Sequence, residues 1–135
     1  MFKKIVVPVD GSESAWRALE QAVALGKAFA GELVVVTVIQ PYNNAALLAV
    51  PLDHNIISQS NADLEQVGNC LLYTSVSYHM EVGHPSERIL AVSKSKDADA
   101  IVLGSRGLSG IAEFFLGSVS SKISQYADVP VLIVK

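Results

Sequence analysis

The sequence predicts an α/β fold: an open, doubly wound, five-stranded parallel sheet with helices on both faces. Three observations lead there. Ile5-Val6-Val7-Pro8-Val9, Leu33 to Ile39, Ala100-Ile101-Val102-Leu103 and Val131-Leu132-Ile133-Val134 are short, nearly continuous apolar runs rich in β-branched residues, the pattern of strands buried on both faces. Segments with helical spacing of apolar residues separate them. The resulting order, strand and helix alternating through five strands, requires right-handed crossovers and places helices on the sheet faces.

Each element has its own signal. Between the first two strands Ala15, Leu19, Ala22 and Phe29 recur at helical spacing, with Arg17, Glu20 and Lys27 elsewhere around the wheel. Ser12 or Ser14 suits the first turn as a cap, Glu13 suits the positive end of the dipole, and Gly31 is placed to stop the helix, which gives Ser12 to Ala30. A weaker helix is expected over Asp63 to Tyr73, where Leu64, Val67 and Leu71 share a side and Gly68 costs roughly 1 kcal/mol. Pro41 to Ser60 has no clear period and reads as a surface loop or a short helix near Ala45 to Val50. Val76, Tyr78, Met80 and Val82 alternate with Ser77, His79 and Glu81, as in a half-exposed edge strand. After Gly83-His84-Pro85 a helix of about three turns begins with Ser86 and Glu87 and carries Ile89, Ala91 and Val92. Ser118 to Tyr126 forms the last helix, with Val119, Ile123 and Tyr126 expected to face inward.

Composition narrows the function classes. The 135 residues fit one domain of about ordinary size, expected to span residues 1–135. Hydrophobic residues make up 50% and charged residues 17%, too apolar for a disordered chain. Ten Lys plus Arg against thirteen Asp plus Glu leave a net charge of -3, so no general field attracts phosphate backbones and nucleic acid is not an expected partner. Ala45 to Leu52, the longest apolar stretch outside the strand-like runs, contains Pro51 and falls far short of the ~20 residues that cross a bilayer. Met1-Phe2-Lys3-Lys4-Ile5 runs straight into a strand without a small-residue cleavage site, so a mature cytoplasmic start is expected. Cys70 is the single cysteine, which excludes an internal disulfide and a thiolate zinc cluster and fits a reducing compartment.

Ligands of doubly wound sheets sit at the carboxyl ends of strands, where the winding reverses. The loop after Leu103 is by far the most glycine-rich: Gly104-Ser105-Arg106-Gly107-Leu108-Ser109-Gly110, then Phe114-Phe115-Leu116 to Gly117-Ser118-Val119-Ser120, where the last helix begins. Glycines let backbone N–H groups approach an anion, and a helix N-terminus adds about half a positive charge. The loop is neither the GxxxxGK[ST] phosphate loop nor the GxGxxG dinucleotide fingerprint. Glycine content alone leaves two roles open, an anion cradle or a set of turns with Ser118 as a helix cap.

The spacing adds a resemblance. Gly104, Gly107 and Gly117-Ser118 stand as G-x2-G-x9-G-[S/T], similar to the nucleotide loop of universal stress proteins. Pro8-Val9-Asp10-Gly11-Ser12, Gly83-His84-Pro85 and the closing Pro130 to Val134 strand also resemble that family in the same order. The resemblance covers Lys3 to Ile39 and Met80 to Lys135 and departs between Pro41 and Ser75, where the family's second helix is longer. It implies a Rossmann-like fold of the adenine nucleotide alpha hydrolase type and membership of the ATP-binding branch. ATP, or AMP or another adenine nucleotide, is the implied ligand, with Mg or Mn bridging its phosphates. By matching position Asp10 and Val38 border adenine and ribose, Val9 and Leu103 line the floor, and Pro8 is counted with the same cofactor-binding residues. Gly104, Gly107 and Gly117 shape the phosphate loop, Arg106 projects from it, and Ser118, Val119 and Ser120 supply donors at the helix start. The family also pairs its last strand between subunits, which implies a homodimer through Val131–Val134.

Individual residues carry plainer readings beside these. Asp10 is placed to receive N–H groups of its own turn, a role compatible with ligand contact. Arg106 is a solvated loop arginine at the rim, and Lys122 offers only long-range attraction. His54, His79 and His84 have no metal-ligand spacing, and neither Cys70 nor any serine carries a nucleophile motif. Ile111, Phe114 and Phe115 pack the loop onto the fold. No catalytic constellation emerges. The expected function is a nucleotide-responsive regulatory or protective homodimer of the stress response with a further protein partner unidentified; the alternatives are a dimeric adaptor without nucleotide dependence and a slow ATPase.

Overall fold

The computed structural model describes residues 1–40, 75–106 and 116–135. Five strands, β1 (Lys4–Pro8), β2 (Glu32–Ile39), β3 (Ser75–Val82), β4 (Ala100–Gly104) and β5 (Val131–Val134), form one sheet in the order β3-β2-β1-β4-β5. Every pairing is parallel, with Lys4 opposite Glu32, Glu32 opposite Ser75, Ile5 opposite Ala100 and Ile101 opposite Val131. Three helices are described: α1 (Glu13–Phe29), α2 (Pro85–Ser95) and α3 (Ser118–Tyr126). The helix expected over Asp63 to Tyr73 and the irregular stretch Pro41 to Ser60 lie outside the described residues.

The apolar runs become strands because both faces of each are covered. Ile5, Val7, Leu33, Val35, Ala100 and Val102 face α1, where Ala15, Ala18, Leu19 and Ala22 meet them. Val6, Val34, Val36, Ile101 and Leu103 face the other side and pack with Ile89 and Val92 of α2 and Ile123 of α3. Burial on both faces removes the polar alternation of a half-buried strand, and the continuous runs in the sequence register that removal.

Helix α1 fills the expected span. Ser12 is its N-cap, accepting the Ala15 N–H at 3.3 Å. The stop differs from the expectation: Ala30, not Gly31, takes the left-handed conformation at φ 50°, and its N–H and that of Gly31 return to the carbonyls of the last turn. Gly31 is held to glycine by a different cause, since a Cβ there would strike the Phe2 carbonyl oxygen and come within 3.3 Å of that of Lys3. Phe29 is 38% exposed and leaves the core to pair with Phe2, ring centroids 5.2 Å apart.

One inward assignment needs correction, and the half-exposed edge strand turns most of its apolar residues outward. Tyr126 is 63% exposed, because Ala127, four positions beyond Ile123, takes the core direction while Tyr126 falls to the side of it. In β3 the alternation is present and the strand is an edge, but among its apolar residues only Val76 packs against the core; Tyr78, Met80 and Val82 are 50%, 59% and 59% exposed. The buried face of α1 lies over β1 and β4, away from that end of β3.

Candidate functional site

The winding reverses between β1 and β4. From β1 the chain steps to β2 and β3 on one side, while β4 and β5 extend the sheet on the other, so the loops after β1 and β4 diverge at the strands' carboxyl ends, the place where doubly wound sheets form a ligand crevice. These are the two loops that carry the predicted residues.

After β1, the Val9 N–H continues the ladder to the Val36 carbonyl at 2.8 Å, and Val9 is buried. Asp10 follows, exposed, and Gly11 turns the chain at φ 87°, a conformation that an L side chain strains against. Asp10 Oδ1 accepts the Ser12 N–H at 2.9 Å and the Ser12 hydroxyl at 2.5 Å. The turn therefore uses one oxygen of the carboxylate and holds Asp10 at the end of the strand.

β4 ends at Gly104, whose lack of a side chain has a packing cause. A Cβ would press on Ser14 Oγ and stand 2.7 Å from the Ala15 nitrogen, so α1 lies on this strand end at a distance that only glycine permits. Beyond it, the Ser105 N–H donates to the Val134 carbonyl at 2.8 Å, extending the pairing with β5. The Ser105 carbonyl accepts the Gly117 N–H at 2.7 Å and lies 3.0 Å from the Ser120 hydroxyl. The start of α3 is thus sewn to the end of β4, and the intervening loop leaves and returns at one place.

The two helix N-termini at this end differ. Ser12 caps α1, whereas Gly117, with extended torsions of φ -63° and ψ 161°, begins α3 without a side-chain cap. The Gly117 N–H is engaged by Ser105, and the N–H groups of Ser118, Val119 and Ser120 have no acceptor within the helix. They are a set of donors at the positive end of a dipole. Val38 and Leu103 project from the sheet face shared with α2 and α3, where Leu103 is buried and Val38 half-buried.

The structure therefore brings together Pro8, Val9, Asp10, Leu103, Gly104, Arg106 and Gly117 to Ser120 at the carboxyl ends of β1 and β4, with Val38 on the adjoining β2. Gly107, like Ile111, Phe114 and Phe115, lies outside the described residues. The Ser120 hydroxyl is buried and turned to the Ser105 carbonyl, so of this residue's two donors only the amide is left at the helix start. Arg106 lines an open pocket of about 350 Å³ on the α1 side with Ser14, Arg17, Ser105 and Lys135. Arg17 approaches Glu13 at 3.5 Å and donates to the Lys135 carbonyl at 3.3 Å. Lys122 lines a separate groove between α2 and α3, together with Glu87, Asp97 and Asp128.

Sequence reasoning missed Ser14 and Ser105. Their parts depend on α1 lying against Gly104 and on β5 pairing with β4, contacts between residues far apart in the chain with no local signal. Among the described residues no group of three or more His, Cys, Asp or Glu side chains is gathered for a metal. None of the described helices is long and apolar enough to cross a membrane.

Known proteins resemble this chain in sequence and in fold. The universal stress protein YxiE of Bacillus subtilis is 33% identical over 150 aligned positions, with both chains covered completely. Among solved structures, UspA from Lactobacillus plantarum superposes with a TM-score of 0.84 at 25% identity, covering 99% of this chain and 98% of that one. A universal stress protein in complex with cAMP superposes at 0.71 with 29% identity, covering 98% and 96%. The Universal stress protein family matches residues 1–135. With its switch-point loops, its parallel sheet and its full-length match, the chain belongs to the universal stress protein family.

Proposed function

We propose that the crevice between β1 and β4 binds an adenine nucleotide, ATP with Mg or Mn, and that the protein is a nucleotide-responsive regulatory homodimer of the stress response. The observation that carries this reading is the uncapped start of α3, stitched through Ser105 to the switch point. Polyphosphate is matched there by main-chain amides and the helix dipole, with Arg106 at the rim. Asp10 and Val38 border the sugar and base, and Val9 and Leu103 form the floor. A relative of 29% identity is a complex with cAMP, which supports an adenine nucleotide as the ligand class.

Amides and one rim arginine balance only part of the charge on ATP, so the divalent ion enters with the phosphates and affinity depends on it. The outer edge of β5, where Leu132 is 45% exposed, serves as the dimer contact. Among the described residues none is arranged to activate a water, and the activity proposed is binding, with slow hydrolysis as the alternative.

Purified protein is heat-denatured and the supernatant chromatographed, after which apoprotein is titrated calorimetrically with ATP in Mg buffer and in EDTA. The expected result is released adenine nucleotide, or a saturable Mg-ATP isotherm that weakens at least about tenfold, roughly 1.4 kcal/mol, in EDTA. Sedimentation of the same samples is expected to give a dimer. A protein that is empty and silent to Mg-ATP refutes the reading.

A further inference from the structure

Ser12, Ser14, Ser105 and Ser120 are all buried at the carboxyl ends of β1 and β4, and the hydroxyls of Ser14 and Ser120 donate to two consecutive carbonyls, those of Arg106 and Ser105. Ser14 Oγ donates to the Arg106 carbonyl at 2.7 Å and lies 3.4 Å from the Arg106 nitrogen as acceptor, so one hydroxyl holds both sides of that residue's backbone. Ser12 Oγ is also 3.2 Å from the Arg106 carbonyl, but it has one proton, and the Asp10 carboxylate at 2.5 Å takes it. Ser14 is therefore the principal donor from the α1 face.

From the opposite face of the sheet, Ser120 Oγ, on a side chain 2% exposed, reaches the Ser105 carbonyl at 3.0 Å, with the Gly117 carbonyl at 3.1 Å as its second choice. The same Ser105 carbonyl receives the Gly117 N–H. The exit from β4 is thus held through the backbone of Ser105 and Arg106.

We propose that Ser14 and Ser120 are positioning residues of the nucleotide site: they grip the backbone of residues 105–106 from opposite faces of the sheet and set where the chain leaves β4 and where Gly117 opens α3. Neither hydroxyl touches the ligand. The proposal rests on the nucleotide reading above and adds to it the residues that pre-organise the donors. Alanine fills nearly the volume of serine, so a role confined to packing predicts little change on truncation, whereas loss of a positioning hydrogen bond lets the donor array drift.

The full chain is prepared as wild type, Ser14→Ala, Ser120→Ala and Val92→Ala, the last a core variant in α2 that lowers stability away from the site. Amide hydrogen exchange is measured without ligand and Mg-ATP affinity by calorimetry. Ser14→Ala is expected to speed exchange at Arg106, and Ser120→Ala at Gly117, each at least about tenfold, with Kd rising about threefold to tenfold in both. Val92→Ala is expected to lower Tm and leave both local readouts unchanged. Wild-type binding with unaltered exchange and affinity in both serine variants overturns the positioning role alone, as does an equal loss of affinity in Val92→Ala. A wild type that binds no nucleotide overturns the reading of the site itself, and the positioning role with it.

Discussion

Gly104→Ala is expected to lower the melting temperature by roughly 10 °C, a loss of about 3 kcal/mol. One methyl group would ordinarily be absorbed by a neighbouring rotamer. Here it would stand 2.7 Å from the Ala15 nitrogen and from the Ser14 carbonyl carbon, both backbone atoms of the first turn of α1. That turn cannot retreat freely, because Ser12 caps it from one side and Asp10 holds Ser12. Either α1 lifts from β4, opening the core around Ala15, Ala18 and Val102, or β4 shifts against β1. Thermal unfolding followed by circular dichroism reads the effect, and a Tm within about 2 °C of wild type would mean that α1 sits farther from the strand than described.

Gly117→Asp is expected to act in opposite directions on stability and on binding. Its torsions, φ -63° and ψ 161°, are open to any residue, so the backbone does not require glycine there. An N-cap aspartate gains a few tenths of a kcal/mol over glycine and adds a favourable charge at the dipole, so Tm should hold or rise slightly. For the nucleotide the same carboxylate is a like charge beside the phosphates. A pair of unit charges about 4 Å apart costs about 4 kcal/mol at an effective dielectric near 20, so Mg-ATP affinity should fall at least about a hundredfold after allowing for salt and side-chain freedom. Calorimetry and thermal unfolding on the same sample separate the two effects. Unchanged affinity would mean that phosphate does not approach the start of α3.

Those two glycines show what was legible in the sequence and what was not. Both belong to one spacing motif, yet Gly104 is held to glycine by a helix laid against it, while Gly117 has a conformation that places no such demand. A motif records the residue and not the neighbour that selects it. The strands were readable because burial on both faces writes an unbroken apolar run, as in Ile5 to Val7 and Leu33 to Val36. α1 was readable because its cap, apolar stripe and first-turn acid are all local. Tyr126 was misread because the helix ends beneath it and Ala127 fills its place, and Gly31 because a tertiary contact, not a helix stop, requires it. The crevice itself was visible as two loops; the reversal that joins them, between β1 and β4, needed the strand order. The tertiary roles of Ser14 and Ser105 were invisible, since their partners are Arg106, Val134 and Gly117, brought near only by the fold.

The central claim is that main-chain amides at the start of α3 meet the phosphates of an adenine nucleotide. Backbone amide shifts of isotope-labelled protein, recorded with and without saturating Mg-ATP, test it residue by residue. The account predicts the largest shifts at Gly117, Ser118, Val119 and Ser120, with a second set at Asp10, Val38 and Gly104. Shifts confined to the groove between α2 and α3, around Glu87 and Lys122, or a spectrum that Mg-ATP leaves unchanged, would contradict it.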